Sequence, residues 1–173
     1  MPILEHQAES AVVVVGGGFT GAAVAYHLAR LRPGISITVI EPREEIGGGL
    51  AYDDTDPTHR INVPAVRMSL IPGDDTHFAR WLEETGAADG DENADRNGAL
   101  FPRRAVFGRY VRAHLAPLLA EKRVVHVRAR ATALTREGDR WKVTTDTRGN
   151  FAARIVVLAV PHPSPELPSQ LKQ

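Results

Sequence analysis

The sequence predicts an α/β fold in three layers, made of a central parallel sheet, helices and a small antiparallel β-meander. Three observations predict it. Residues 11–15 and 155–160 are short apolar runs rich in β-branched residues, with no alternation, so they read as strands buried on both faces. A stretch with helical spacing joins the first run to a further strand at 35–40, the order of a parallel βαβ pair. Between 129 and 153 three alternating segments are separated by turn residues, the pattern of antiparallel strands.

Taken in order, residues 1–9 are polar and read as a frayed start. After the strand at 11–15, Ala23, Val24, His27, Leu28 and Leu31 recur at helical spacing, and Pro33-Gly34 stops that helix. The second strand, 35–40, ends at Glu41. Residues 44–75 are rich in Gly, Pro and Asp, an irregular length that is usually functional. Asp74 or Asp75 can cap a helix running through Phe78, Trp81 and Leu82 to Gly86. Residues 87–98, polar and acidic, read as a mobile surface loop, and a helix follows over 106–122 with Val111, Leu115, Leu118 and Leu119 on one face. A strand at 124–127 leads into the meander segments 129–135, 141–145 and 150–153, and a last buried strand covers 155–160. Prolines crowd the tail from Pro161, so the domain is bounded at 10–161, with flexible termini at 1–9 and 162–173.

A chain of 173 residues suits one domain whose folding buries roughly 70% of the surface of the unfolded chain. Lys plus Arg equals Asp plus Glu at 21 each, which argues against a nucleic acid or an anionic membrane as partner. The chain has no cysteine, which excludes disulfide scaffolds, thiolate metal sites and a redox Cys-x-x-Cys pair. No charged-then-apolar leader precedes Ser10, and no apolar run approaches membrane-spanning length. A cytoplasmic location is expected. The seven histidines lack i, i+4 pairing, so no metal site is expected and each reads as structural or surface. His162, beside the last strand, is the one that could approach a ligand.

Gly16-Gly17-Gly18-Phe19-Thr20-Gly21 supplies G-x-G-x-x-G directly between a strand and a helix. Gly16 permits the tight turn, Gly18 lets a pyrophosphate approach the backbone, and Gly21 lets helix and strand pack closely. Free N–H groups at the helix start then face the diphosphate, aided by the helix dipole. Glu41 lies about 20 positions downstream, at the end of the next strand, where a carboxylate accepts hydrogen bonds from adenosine ribose hydroxyls. This is a Rossmann-like dinucleotide site. The acid disfavours a 2′-phosphate here, and does not separate NAD from FAD.

Further segments carry a resemblance: Gly47-Gly48-Gly49-Leu50-Ala51-Tyr52, Arg60-Ile61-Asn62-Val63-Pro64-Ala65, Met68-Ser69-Leu70, Phe78-Ala79-Arg80-Trp81-Leu82, and Pro102-Arg103-Arg104 through Phe107-Gly108-Arg109-Tyr110. Together they resemble the FAD/NAD(P)-binding domain of FAD-dependent urate hydroxylase and aspartate N-monooxygenase type flavoproteins, from about Val12 to Val160. The element order is also similar to the glutathione-reductase-like flavin fold, in which the crossover to the last parallel strand is a β-meander. The resemblance implies FAD as cofactor, NAD(P)H as co-substrate and a small polar substrate that is hydroxylated. It implies that Gly16, Gly18 and Gly21 hold the pyrophosphate and Glu41 the adenosine ribose, with Gly17, Phe19, Thr20, Pro42 and Arg43 also cofactor-binding. Gly47, Gly48 and Gly49 would run close to the flavin end, Arg103 would lie near the diphosphate or flavin, Val127 would meet the adenine through its backbone, and Leu50 and Asn62 would also be cofactor-binding. Phe78, Trp81 and Tyr110 read as core.

Two departures stand beside the resemblance. Such flavoproteins finish the last strand with an Ala-Thr-Gly-like turn, whereas here the residues are Ala159-Val160-Pro161, and proline offers no N–H. Family members also continue with a second nucleotide-binding region and a substrate-binding part. No catalytic acid, base or nucleophile can be named. The leading expectation is therefore the FAD-binding domain of an NAD(P)H-linked, monooxygenase-like oxidoreductase. Its alternative is a non-catalytic or truncated dinucleotide-binding module that needs a partner chain or homo-oligomer. A simple NAD-dependent dehydrogenase is disfavoured by the meander.

Overall fold

A computed structural model describes residues 8–161. The expectations placed on the termini 1–7 and 162–173, and on His162, lie outside the described residues.

The first strand, β1 (Ala8–Val15), is followed by α1 (Phe19–Leu31) and β2 (Ile37–Ile40). A short helix α2 (Gly49–Tyr52), a 3-10 turn at Ala65–Arg67 and α3 (His77–Thr85) come next. A two-stranded hairpin of β3 (Asp95–Arg96) and β4 (Ala99–Leu100) leads into α4 (Arg104–Ala120). The chain then forms β5 (Val124–Val127), β6 (Ala131–Glu137), β7 (Arg140–Thr145) and β8 (Asn150–Leu158). Among the described residues no helix is long and apolar enough to cross a membrane.

The main sheet has the order β5-β2-β1-β8-β7-β6. Strands β5, β2, β1 and β8 are parallel, with Val14 opposite Val39 on one side and Val157 on the other, while β8, β7 and β6 are antiparallel. The unbroken valine run of β1 is explained by burial on both faces. Val12 and Val14 pack with Ala22, Ala25 and Tyr26 of α1 and with Phe107 and Tyr110 of α4. Val13 and Ile40 pack on the opposite face against Val143, Phe151 and Ala153 of the meander. Three layers result, as the sequence predicts.

Several boundaries differ for physical reasons. The frayed start does not extend to residue 9, because Glu9 and Ser10 pair with Ala152 and Ala153 and the Ser10 hydroxyl is buried against that of Thr38 at 2.7 Å. Segments 150–153 and 155–160 are not two strands. One strand, β8, pairs with β7 up to Ala153 and with β1 along its length. Beyond Ala153 no described strand flanks its outer edge, so Ile155 and Leu158 are 55% and 63% exposed and the last strand is not the buried one expected.

Helix α3 is not capped by Asp74 or Asp75. Thr76 is the N-cap, and the Asp74 carboxylate instead accepts from Arg80 and Thr76, the Arg80 hydrogen bond holding its carboxyl at about 2. The segment at 87–98 is anchored. Asp91 forms a bidentate pair with Arg60 at 2.7 and 3.0 Å, both side chains about a tenth exposed, and Ala94 is buried. The hairpin turn that follows is Asn97-Gly98, with φ of 56° and 80°, the signature of a tight two-residue turn.

Tyr110 and Phe78 are fully buried, with Trp81 partly buried beside them, as expected for core. The Tyr110 oxygen accepts the Leu70 N–H at 3.0 Å and lies 2.6 Å from His77 Nδ1. With that oxygen already accepting a backbone N–H, its own proton is best donated to a neutral His77. Burial, and then the neighbouring His114, push the His77 imidazole below its ordinary value; Asp74 and Glu84 pull the other way, and Arg80 adds to the lowering.

Because the folded value lies below the unfolded one, this arrangement contributes its full stability above about pH 6.5 and loses it as pH falls from there through the lower folded value. Urea unfolding between pH 7.5 and 5 should therefore show a fall in stability that His77→Gln flattens. Tyr110→Phe should cost about 1–3 kcal/mol at neutral pH, the cost of a buried N–H left without an acceptor.

Candidate dinucleotide cleft

The glycine turn lies where three backbone segments meet. Gly16 has φ of +100°, and a Cβ there would lie 2.4 Å from the Ala159 carbonyl oxygen. A Cβ on Gly21 would lie 1.9 Å from the Gly16 carbonyl. These two glycines are demanded by the fold itself, the first by β8 running beside the turn and the second by α1 starting against it. Gly18 differs: its φ is −65° and an added Cβ would meet only Gly49 Cα, at 3.6 Å.

Helix α1 begins without a side-chain cap and without an acid in its first turn. The first helical hydrogen bond runs from Ala22 N–H to the Gly18 carbonyl at 2.9 Å, so the amides of Phe19, Thr20 and Gly21 precede the ladder. An uncapped helix N-terminus favours an anion.

The second glycine run is laid directly on the first. Gly47 N–H donates to the Gly17 carbonyl at 2.7 Å, and a Cβ on Gly49, whose φ is +57°, would lie 2.7 Å from Gly18 Cα. From behind, α2 is held by α4, where a Cβ on Gly108 would lie 2.2 Å from the Tyr52 carbonyl oxygen. The Tyr52 ring packs on Phe19 and Phe107 at centroid distances of 6.0 and 4.7 Å.

Glu41 is 4% exposed. Its Oε2 accepts the Gly17 N–H at 2.8 Å, and its Oε1 accepts the backbone N–H and the guanidinium of Arg43 at 3.0 and 3.1 Å. A carboxylate offers about four acceptor positions, so three are used within the protein. Glu41 is thus a clamp on the glycine turn as well as a group facing the cleft. Arg43 remains about a third exposed.

The cleft has a volume of about 270 Å³. It brings together Gly16, Gly18, Phe19, Thr20, Glu41, Arg43, Gly48, Gly49 and Leu50 of the expected set. Ala51, Tyr52, Ala159, Val160 and Pro161 complete its wall; Ala51 and Tyr52 were assigned no role by sequence reasoning, although the close approach of Gly108 to Tyr52 depends on a glycine that the sequence displays. Gly17 and Gly21 lie behind the wall, and Pro42 points to solvent off it. Val127 is also off the wall, its carbonyl already accepting from Glu41 and Ala129. Asn62 and Arg103 line two other concavities. Among the described residues no group of His, Asp, Glu or Cys could hold a metal ion.

A family model described as FAD-NAD(P)-binding matches residues 13–163. Thiamine thiazole synthase from Emericella nidulans is 48% identical over 46 residues, 27% of this chain and 14% of that protein. A flavin-containing monooxygenase from Stenotrophomonas maltophilia superposes with a TM-score of 0.61 at 21% identity, over 88% of this chain and 38% of that one. The OTEMO complex with FAD and NADP superposes with a TM-score of 0.61 at 21% identity, over 92% and 27%. At such identities the solved structures share the fold, and the chain spans well under half of their length.

Glu41→Gln tests the clamp. One of three donors would lose its acceptor, costing about 1–3 kcal/mol, so the melting temperature should fall even without nucleotide. An unchanged melting temperature would show that Glu41 does not hold the turn.

Proposed function

The chain belongs to the FAD-NAD(P)-binding family, and from that premise we propose that its cleft holds the ADP half of FAD within an NAD(P)H-linked, monooxygenase-like oxidoreductase. The observation that carries this reading is the uncapped start of α1 beside Gly18, the one glycine of the turn that the surrounding protein does not itself require. The residues fit the group. The amides of Phe19 and Thr20 would bind the diphosphate, which approaches over the bare Gly18 Cα. Glu41 would offer its remaining acceptor position to the adenosine ribose, and Arg43 would turn from Glu41 towards the same end. Gly48 and Gly49 would admit the chain running towards the flavin without side chains in the way.

FAD, when bound, supplies electron transfer between NAD(P)H and a substrate. The protein's part is orientation and exclusion of water, with Leu50 and Tyr52 as the apolar side of the wall. The meander layer over Val13 and Ile40 supports FAD over a nicotinamide dinucleotide alone. Within the family, the Asn62-Val63-Pro64-Ala65 and Phe107-Gly108-Arg109-Tyr110 segments favour the urate hydroxylase and aspartate N-monooxygenase type, with a small polar substrate. We take the binding domain as residues 10–161 and its location as the cytoplasm. The roles of Asn62, Arg103 and Val127 at the cofactor have no support from the wall of the cleft.

A second reading is favoured by Pro161. It stands on the cleft wall where it can offer no N–H, which suits a module that binds the dinucleotide loosely and works with a partner chain or second copy.

Visible spectroscopy separates the readings. Purified protein titrated with FAD should develop a bound-flavin spectrum, and anaerobic NADH or NADPH should bleach it if the chain alone supports reduction. FAD binding without bleaching favours the module. Uptake of neither FAD nor NAD would overturn both.

A further inference from the structure

A second concavity has a chemistry unlike that of the cleft. Residues 59–62 and 101–104 run antiparallel, with Ile61 N–H donating to the Pro102 carbonyl at 3.1 Å and Arg104 N–H to the His59 carbonyl at 2.9 Å. With Arg96 from the β3–β4 hairpin they border a pocket of about 450 Å³, whose polar lining is Thr58, His59, Arg60, Asn62, Arg96 and Arg104.

Three of those side chains are guanidinium groups, and among the described residues only Arg60 has a carboxylate partner, Asp91. Arg104 is held by uncharged acceptors: its Nε donates to the Arg60 carbonyl at 3.1 Å, and its Nη2 lies 3.5 Å from Asn62 Oδ1. Arg96 lies over the Phe101 ring, 5.6 Å from its centroid. No carboxylate lines the pocket. The aspartates that flank His59, Asp54 and Asp56, line the neighbouring cleft instead.

A guanidinium fixed by neutral partners keeps its full charge and has N–H donors left over, in a fork that matches an oxyanion. Both residues line the same cavity. The bonds to the Arg60 carbonyl and the stacking on Phe101 also pre-set their positions, which lowers the ordering cost of binding.

We propose that this pocket binds an oxyanion of a small molecule, a carboxylate or a phosphate, through Arg104 and Arg96, with the Asn62 side chain as a further polar contact. The proposal is independent of the flavin reading, because the pocket shares no lining residue with the dinucleotide cleft.

The test is calorimetric titration of the full chain with inorganic phosphate and with succinate, at fixed ionic strength, with chloride as control. Wild type is compared with Arg96→Gln, Arg104→Lys and Gly18→Ala. The exposed Arg96 can be replaced without touching the core, and Gly18→Ala fits its surroundings while obstructing the diphosphate site. At least one probe should bind wild type and Gly18→Ala alike, and should bind each arginine variant about tenfold more weakly or worse. Binding of phosphate alone identifies a phosphate ligand, and binding of succinate a carboxylate. Binding no better than chloride, binding indifferent to both arginine changes, or binding lost in Gly18→Ala would each overturn the proposal.

Discussion

The structure depends on a seam where backbone meets backbone with no side chain between. It runs from the Ala159 carbonyl over Gly16, from the Gly16 carbonyl to Gly21, and from Gly18 across to Gly49. Because the seam is bare, β8 can lie beside β1, α1 can start immediately after β1, and α2 can rest on the turn. Each of these contacts would be lost to a single methyl group. The buried Glu41 carboxylate draws Gly17 and Arg43 towards it and so keeps the turn in register with the end of β2.

This division of labour explains why the fingerprint glycines are not equivalent. Gly16 and Gly21 serve the fold, whereas the neighbours of Gly18 leave room for a Cβ. A helix terminus with no cap carries unsatisfied N–H groups and the positive end of the dipole. Some positive groups elsewhere are matched at short range, as Arg60 is by Asp91 and Arg80 by Asp74. Among the described residues no side chain caps the start of α1, and its first turn holds no acid.

The central elements were legible because their signals are local and mutually consistent. The valines of β1, the helix spacing before Pro33-Gly34 and the acid ending β2 all point to one βαβ unit. What was missed depends on partners distant in sequence. The polarity of residues 87–98 suggested a free loop, yet it is anchored by Arg60, 31 positions before Asp91; the Asn97-Gly98 turn beside it was legible and went unused. The apolar run 155–160 looked doubly buried, but burial depends on neighbouring strands, and β7 departs at Ala153. For the site, motif spacing singles out the glycine turn and Glu41, and Gly16, Gly18 and Glu41 lie on the wall of one cleft. Asn62 and Arg103 are singled out by the resemblance alone, and in the fold they line two other concavities.

The outer edge of β8 has a consequence for the molecule in crowded solution. From residue 154 to 158 it presents backbone donors and acceptors without a described strand beside them, flanked by Ile155 and Leu158. Such a border is a template on which further strands can stack, and charge or proline is the usual guard against it. Here the guard is Arg154 alone, with Pro161 three residues past the strand's end. The strand that leads into the cleft wall therefore also carries, among the described strands, an unpaired edge open to further strand pairing.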